Sequence, residues 1–166
     1  MKSQPKQILF VCTGNTCRSP MAEYILRARL GPDAPWSVAS AGVAAAKGFP
    51  ASATAVQVCN ELNVDLRPHR SQPVTRELLA ASHWIIAMTA GHRDHLVQLY
   101  PQTAPRIRLL KSFGFSEGFG DIPDPIGGSV EVYRTVRNQI ESALSDLILF
   151  LMEQDGRLEP GKEHKR

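Results

Sequence analysis

The sequence predicts a single-domain α/β fold, in which an open four-stranded parallel sheet is covered by helices on both faces. The chain has 166 residues, 43% of them hydrophobic, which suits one compact domain. Its strand candidates are short continuous apolar runs, a pattern typical of strands buried on both faces. These runs alternate with helical patterns, and such alternation favours a parallel sheet built with right-handed crossovers.

The first half of the chain supplies two strands and two helices. Residues 8–12 form a continuous apolar run, which predicts a buried first strand. A helical pattern starts at Pro20 and ends at the Gly-Pro pair 31–32. A short second strand is predicted at 36–40, and apolar residues at helical spacing predict a second helix over 51–62.

The second half repeats this alternation and then ends in a long helix. A third buried strand is predicted at 83–88, followed by a helix over 90–99. A weaker fourth strand is predicted at 107–110, and a glycine-rich loop follows over 114–128. Apolar residues at helical spacing then predict an amphipathic helix over 130–152.

Residues near the two ends of the chain and the lengths of its apolar stretches indicate the limits of the domain and its cellular location. Residues 155–166 are polar and contain proline and glycine, so we expect the folded domain to span 1–154 and the rest to form a flexible tail. The longest apolar stretches, such as 147–152, are far shorter than the roughly 20 residues of a membrane span. The first residues do not have the pattern of a signal peptide, so we expect a cytoplasmic protein with no membrane partner.

Charge and cysteine content narrow the function classes further. The formal net charge is +3, and the basic residues are scattered rather than clustered, which argues against nucleic acid as a partner. The three cysteines are an odd number, which disfavours a secreted disulfide framework. They form no Cys-x-x-Cys pair, so no zinc site or other metal site is expected. Any cysteine chemistry should therefore be thiolate chemistry.

The loop after the first strand is predicted to bind an anion. Cys12 ends the strand, Gly14 and Asn15 tolerate unusual backbone angles, and a helix follows Ser19. Backbone N–H groups of such a loop can converge on one point together with the positive end of the helix dipole. The sequence therefore places a thiol beside an anion site at the carboxyl edge of the sheet, where open α/β sheets bind ligands.

Cys12 and Arg18 in this loop predict phosphoryl transfer to sulfur. A helix N-terminus and an arginine both favour thiolate, so the pKa of the Cys12 thiol is expected to be lowered. The planar guanidinium of Arg18 can hold two oxygens of a phosphoryl group. The alternative is that Cys12 is a buried packing residue and Arg18 an ordinary residue on the helix surface.

Residues 12–23, CTGNTCRSPMAE, closely resemble the active-site loop of the low-molecular-weight protein phosphatases. Asp124-Pro125 resembles the general-acid dipeptide of the same family, and the resemblance covers residues 7–150, continuing through 40–42, His69 and 88–89. It implies the same four-stranded parallel sheet. It also implies a substrate pocket lined by residues of the loop and by one residue after the dipeptide, namely Thr13, Gly14, Asn15, Thr16, Cys17, Ser19 and Ile126.

The resemblance implies a catalytic role for four residues. Cys12 would be the nucleophile, Arg18 the phosphate clamp, and Ser19 the hydroxyl that hydrogen-bonds the Cys12 sulfur and helps it leave. Asp124 would protonate the leaving group and then deprotonate the attacking water, so neither metal nor cofactor is needed. Asp121 is a competing candidate for the acid, although no proline follows it.

Other residues are implied to support the loop or to regulate it. Asn15 would take a left-handed conformation held by Ser40 and His69. Cys17 would close a reversible disulfide with the nucleophile, and a packing role for Cys17 is the alternative. Cys59 is expected in the core, and no cysteine follows it, which disfavours the arsenate reductases that share a related fold.

The predicted substrate is phosphoarginine on a protein, with phosphotyrosine as the alternative. Many tyrosine-directed members carry Ile or Leu at the place of Thr16, whereas the bacterial protein-arginine-phosphatase branch resembles this chain in having threonine. That branch carries phenylalanine where Ile126 stands, so one pocket wall differs. We expect a monomer or weak dimer acting on phosphorylated proteins. A non-catalytic phosphate-binding module is a remote alternative, because it predicts the loss of catalytic residues that are present here.

Overall fold

A computed structural model describes residues 4–114 and 120–157. Within these residues one sheet is formed by four strands: β1 (Lys6–Cys12), β2 (Trp36–Gly42), β3 (Ser82–Ala87) and β4 (Ile107–Leu109). Every pairing is parallel, and the strand order is β2-β1-β3-β4. The predicted open four-stranded parallel sheet is therefore confirmed.

Helices connect the strands and cover both faces of the sheet. The α-helices of the described chain are α1 (Arg18–Leu30), α2 (Ala53–Asn60), α3 (Arg76–Ala81), α4 (Ala90–Leu99) and α5 (Val130–Gln154). Short 3-10 helices flank β4 at Pro101–Arg106 and Leu110–Ser112. No helix among the described residues is both long and apolar enough to cross a membrane.

The two faces of β1 belong to two separate hydrophobic cores. Ile8 and Phe10 pack into the larger core, with apolar side chains from α1, α2 and α5. Leu9 and Val11 pack into the smaller core, with side chains from α3, α4 and β4. Because successive residues of a strand point to opposite faces, burial on both sides requires the continuous apolar run seen in the sequence.

The structure corrects several predicted boundaries. Helix α1 begins at Arg18 rather than Pro20, since a proline within the first turn leaves no helical hydrogen bond unmade. Helix α2 begins only after Ser52, whose hydroxyl caps it by accepting from Ala55 N–H. Helix α3 was not predicted, because Leu79 alone of its six residues is buried and so short a helix shows no apolar periodicity.

The C-terminal helix and the residue that follows it also differ from expectation. Helix α5 extends two residues beyond the predicted 152. Trp36 Nε1 donates a hydrogen bond of 2.7 Å to Asp155 Oδ2, so the first residue of the predicted tail contacts the domain. Residues 158–166 of that tail and residues 115–119 of the loop lie outside the described residues.

Contacts at the carboxyl edge of the sheet bring distant segments together. Gly42 ends β2 in register with Cys12, and a Cβ on Gly42 would lie 2.4 Å from the Thr13 carbonyl oxygen. Glycine is therefore required for the loop to leave β1 at this point. Met88 N–H donates to the carbonyl of Val11 (3.0 Å), and Ile122 N–H donates to the carbonyl of Met88 (2.9 Å). These bonds carry the segment containing Asp124 to the edge where β1 ends.

Candidate active site

The nucleophile candidate lies at the end of β1, under the loop of residues 13–17. The Cys12 side chain is buried, with its residue only 2% exposed. Its Sγ lies 2.8 Å from the hydroxyl of Ser19, in the first turn of α1. Because the helix starts at Arg18, its first N–H groups have no partner within the helix, and the N–H groups of Ser19 and Asn15 face the Cys12 sulfur, as expected for an anion site.

Asn15 holds the loop from inside. Its φ of 58° is in the left-handed region, and its side chain is fully buried. The Asn15 Nδ2 group donates to the hydroxyls of Ser19 (2.8 Å) and Ser40 (2.9 Å), and Oδ1 accepts from Gln72 N–H (3.0 Å). His69 Nε2 lies 2.7 Å from the Asn15 carbonyl oxygen. The structure thus places both implied support residues, Ser40 and His69, against Asn15.

A buried acid that the sequence analysis did not select stands behind this network. The Ser40 hydroxyl donates to Glu23 Oε1 at 2.6 Å, and Arg27 forms an ion pair with the other oxygen of Glu23. His69 Nδ1 lies 3.9 Å from Glu23 Oε1. Glu23 is only 7% exposed, and an acid on the otherwise apolar face of α1 is the sequence signal that could have identified it.

Arg18 links the loop to the segment that carries Asp124. Its Nη1 donates to the Ile122 carbonyl (3.0 Å), and its Nη2 lies 3.5 Å from Asp124 Oδ2. The Arg18 side chain is 6% exposed, whereas that of Asp124 is 46% exposed. Asp124 also accepts from Ile126 N–H at 3.1 Å, which fixes its carboxylate against the turn that follows. The clamp and the acid candidate therefore meet at one point.

Asp121, the competing acid candidate, has a different place. Its Oδ1 accepts a 2.8 Å hydrogen bond from Ala90 N–H, the first residue of α4. A carboxylate at a helix N-terminus accepts a hydrogen bond from a free backbone N–H and interacts favourably with the positive end of the helix dipole. Asp121 is thus hydrogen-bonded to the start of α4, while the Asp124 carboxylate lies beside Arg18.

A small cavity of about 120 Å³ lies over the loop. Its walls contain most of the predicted pocket residues and both halves of the predicted machinery: Cys12, Thr13, Gly14, Asn15, Thr16, Cys17, Arg18, Asp124 and Ile126. Ser19 is not part of the wall, but its hydroxyl is hydrogen-bonded to the Cys12 sulfur. Ile126 is 71% exposed and forms the outer, apolar wall. Over the described ranges, no group of three His, Cys, Asp or Glu side chains is placed to hold a metal ion.

The electrostatics of Cys12 differ from the prediction. Burial raises the pKa of the Cys12 thiol above its ordinary value, because the thiolate is desolvated. The Ser19 hydroxyl, the N–H groups of Ser19 and Asn15, and the charge on Arg18 act in the opposite direction. The predicted net lowering is wrong for this geometry. The groups that favour thiolate are those expected, but the sequence does not reveal how completely the sulfur is buried.

Cys17 is a buried free thiol with polar partners. Its Sγ lies 3.4 Å from the Tyr133 hydroxyl of α5, and it contacts the Ser52 hydroxyl at 3.6 Å. Burial and the Cys17 thiol raise the pKa of Tyr133. Cys59 is also a buried free thiol, and burial raises its pKa to about 12. The packing role weighed for Cys17 and the core position expected of Cys59 both agree with this arrangement.

One further contact to the loop was missed by sequence reasoning. The Thr13 hydroxyl lies 2.8 Å from Nε2 of His92, a buried residue in the first turn of α4. The only sequence signal is a histidine just after the third strand, at the same sheet edge as Cys12.

Comparison with known proteins gives consistent matches along most of the chain. Residues 7–157 match the model of a protein family described as low molecular weight phosphotyrosine protein phosphatase. A protein-arginine-phosphatase of Geobacillus stearothermophilus is 43% identical over 86% of this chain and 94% of its own length. A protein-arginine-phosphatase of Bacillus subtilis is 36% identical over 84% and 93%. A probable low molecular weight protein-tyrosine-phosphatase of Ralstonia nicotianae, EpsP, is 38% identical over 84% and 86%.

Solved structures agree with these sequence matches. The YwlE arginine phosphatase from Geobacillus stearothermophilus superimposes with a TM-score of 0.84 at 41% identity, over 96% of this chain and all of that one. The Vibrio vulnificus protein Wzb, solved in complex with benzylphosphonate, superimposes with a TM-score of 0.80 at 34% identity, over 87% and 98%.

Proposed function

Because the chain belongs to the low molecular weight phosphotyrosine protein phosphatase family, we propose that it hydrolyses phosphoarginine on proteins through a phosphocysteine intermediate. Cysteine-dependent protein phosphatase activity is common to its relatives, whether they are named for arginine or for tyrosine. The substrate side chain and the roles of individual residues are the proposal.

In the first step the Cys12 thiolate attacks phosphorus. Loop N–H groups and the Arg18 guanidinium bind the phosphoryl oxygens. A phosphorus–sulfur bond forms, the bond from phosphorus to the guanidino nitrogen breaks, and the nitrogen keeps the electron pair. Asp124, at the cavity wall beside Arg18, gives its proton to that nitrogen.

In the second step water attacks the phosphocysteine. Asp124, now a carboxylate, takes a proton from the water as its oxygen bonds to phosphorus. The phosphorus–sulfur bond breaks and the sulfur leaves as thiolate, with the Ser19 hydroxyl 2.8 Å away to donate a hydrogen bond to it. Inorganic phosphate is released and the enzyme returns to its starting state.

The position of Thr16 in the cavity wall is the main support for phosphoarginine as the substrate. The Thr16 side chain lines the cavity beside Cys12, where a β-branched residue narrows the opening and a hydroxyl can orient the attacking water. The slim guanidinium of phosphoarginine suits such an opening. The wall at Ile126 is aliphatic, so a phenol ring finds no aromatic partner there.

Phosphotyrosine is the second candidate, favoured by a different feature. Ile126 is 71% exposed at the mouth of the cavity, and this free apolar surface could pack against a substrate ring. Relatives named as tyrosine phosphatases also match most of the chain.

The test compares matched phosphoarginine and phosphotyrosine peptides as substrates of the wild type, Thr16→Ile and Thr16→Val. We expect the wild type to favour phosphoarginine by kcat/KM. Thr16→Ile should lose about tenfold or more of that preference, because added bulk fills the opening. Thr16→Val keeps the shape and removes the hydroxyl, so it separates the two effects. A wild-type preference for phosphotyrosine that Thr16→Ile leaves unaltered would contradict the arginine assignment.

The nucleophile has a separate test. Turnover of p-nitrophenyl phosphate should be abolished by Cys12→Ser and retained by Cys59→Ala, since Cys59 is a core thiol outside the cavity wall. Full activity of Cys12→Ser would refute the phosphocysteine mechanism.

The cellular compartment and the oligomeric state of the protein are also part of the proposal. We infer a cytoplasmic monomer or weak dimer that acts on phosphorylated proteins. Its three cysteines are all buried free thiols, as suits a reducing compartment. Light scattering across a concentration series tests the oligomeric state.

A further inference from the structure

His92 lies where the nucleophile loop meets helix α4. Its ring is buried, with Nε2 2.8 Å from the hydroxyl of Thr13, the residue directly after the nucleophile. Nδ1 lies 3.0 Å from the hydroxyl of Thr89, which caps α4 by accepting from the His92 backbone N–H. Both ring nitrogens are therefore engaged, one by the loop and the other by the helix cap.

The backbone at Thr13 is also hydrogen-bonded to the segment that follows β2. The Thr13 carbonyl oxygen accepts from Ala44 N–H at 2.9 Å, and the carbonyl of Cys12 accepts from Val43 N–H at the same distance. The main chain that carries the nucleophile is thus fixed by the segment after β2, and the Thr13 side chain by His92. Without His92, the Thr13 hydroxyl loses the one partner from α4 that locates it.

The same end of α4 also holds the segment of the acid candidate. Ala90 N–H donates to Asp121, three residues before Asp124, and Met88 accepts from Ile122 N–H. The Ile122 carbonyl in turn accepts from the Arg18 guanidinium. The start of α4 therefore touches both reacting segments, and His92 is its link to the nucleophile side.

We propose that His92 is a positioning residue for the phosphatase reaction, and that its bond to Thr13 holds the Cys12 loop in register with the Asp124 segment. His92 does not itself line the cavity, whereas its partner Thr13 does, so the effect of His92 on the reaction passes through Thr13. The inference rests on the proposed phosphatase chemistry, but not on the choice of phosphoarginine.

The charge state of the ring fits this role. Burial lowers the pKa of His92 to about 4, and the positive charges of Arg18 and His95 add to the effect, while Asp121 and Asp124 oppose it. The imidazole is therefore neutral at physiological pH, with one nitrogen to donate and the other to accept. A neutral amide of the right length can reproduce one of these bonds.

The experiment uses that difference in length. The amide of glutamine reaches the position of imidazole Nε2, whereas the amide of asparagine reaches only that of Nδ1. His92→Gln can thus keep the Thr13 bond and His92→Asn only the bond to Thr89. The variants His92→Gln, His92→Asn and His92→Ala are assayed with p-nitrophenyl phosphate, which avoids any dependence on arginine specificity. Thermal unfolding of each variant and the inhibition constant of inorganic phosphate are measured alongside.

We expect kcat to fall about tenfold in His92→Ala and His92→Asn and by less than about threefold in His92→Gln. The inhibition constant of phosphate should change by less than about threefold in all of them, because the loop N–H groups and Arg18 remain. In a Thr13→Val background, His92→Ala should cause little further loss, since the bond is already absent.

Two outcomes would overturn the inference. One is that asparagine supports kcat as well as glutamine does, which would make His92 only a cap for α4. The other is that the losses from Thr13→Val and His92→Ala multiply, which would show that the two residues act independently. Should His92→Ala fail to fold, the comparison of glutamine with asparagine still decides. Absence of Cys12-dependent turnover in the wild type would instead refute the proposed phosphatase mechanism itself.

Discussion

Arg18 and Asp124 form an ion pair in the mouth of the active site, with Nη2 and Oδ2 3.5 Å apart. The guanidinium is buried and the carboxylate is half exposed, so the arginine is the fixed partner and the acid the accessible one. A phosphoryl group bound by Arg18 competes with the carboxylate for the same N–H donors. In the proposed reaction, substrate binding therefore replaces an internal partner of Arg18 and leaves the Asp124 carboxyl free to face the leaving group.

Replacement of Asp124 by asparagine should separate binding from catalysis. Asp124→Asn removes the proposed proton donor, so kcat should fall by about 10²–10³-fold. It also removes the internal anion from Arg18, so inorganic phosphate should bind at least as tightly as to the wild type. Steady-state kinetics with phosphate as inhibitor measures both effects.

Asp121→Asn is the matched control, since it removes the same charge three residues earlier. Its carboxylate bonds to Ala90 N–H rather than to the clamp, so we expect a much smaller loss of kcat than for Asp124→Asn. An equal or larger loss in Asp121→Asn would reverse the assignment of the acid.

Loss of the Ser19 hydroxyl should make the nucleophile harder to ionise. This hydroxyl lowers the pKa of Cys12, against the dominant effect of burial, so Ser19→Ala should raise that pKa further. The Cys12-specific alkylation rate at pH 7 should fall about tenfold, and its midpoint should move to higher pH. Mass spectrometry of the labelled peptide across a pH series measures both. Ser52→Ala is the control, because that hydroxyl contacts Cys17 instead; an unchanged midpoint in Ser19→Ala would contradict the prediction.

Asn15 should contribute more to the free energy of unfolding than a typical loop residue does. Asn15→Ala removes the buried hydrogen bonds to Ser19, Ser40 and Gln72 and places alanine in the left-handed region. The free energy of unfolding should fall by about 2–4 kcal/mol, measured by urea denaturation.

Asn15→Gly isolates the backbone part of that cost. Glycine also lacks the side-chain bonds but adopts the φ of 58° without strain, so it should be more stable than alanine by about 1–2 kcal/mol. Equal stability of the two variants would mean that the loop relaxes out of the left-handed conformation.

His92 should make stability depend on pH between about 4 and 6.5. Burial lowers its pKa in the folded protein from 6.5 to about 4. In this window the unfolded chain binds a proton that the folded chain does not, so the free energy of unfolding falls as pH falls. With allowance for partial solvent screening, the fall attributable to His92 is about 1–2 kcal/mol.

Urea denaturation at pH 7 and pH 4.5 measures this dependence. His92→Gln cannot titrate, so its stability should decline less than that of the wild type over the same interval. His83, whose pKa burial also lowers, is present in both proteins and cancels in the comparison. Identical declines in the two proteins would show that His92 titrates normally when folded.

Sequence patterns anticipated the parts of the site that are local in the chain. Cys12, Arg18 and Ser19 lie within eight consecutive residues, and a strand, a loop and a helix in immediate succession bring them together. The contacts of Glu23 and His92 were not anticipated, because the distant side chains that they meet depend on tertiary packing and not on a position along a helix or after a strand. The direction of the Cys12 pKa shift was missed for the same reason, since it depends on burial.

The sequence by itself determined the fold class and indicated the chemistry proposed for residues 12–19. Continuous apolar strands need a layer of helices on each face of the sheet, and a thiol followed by a glycine-containing loop and an arginine favours phosphoryl transfer to sulfur. Only the tertiary structure decided which distant residues complete the site. Thr13 meets a histidine 79 positions later, and Arg18 meets the carbonyl of Ile122, 104 positions later. Both contacts exist because β1 and β3 are adjacent parallel strands whose carboxyl ends share one edge, a consequence of strand order rather than of local sequence.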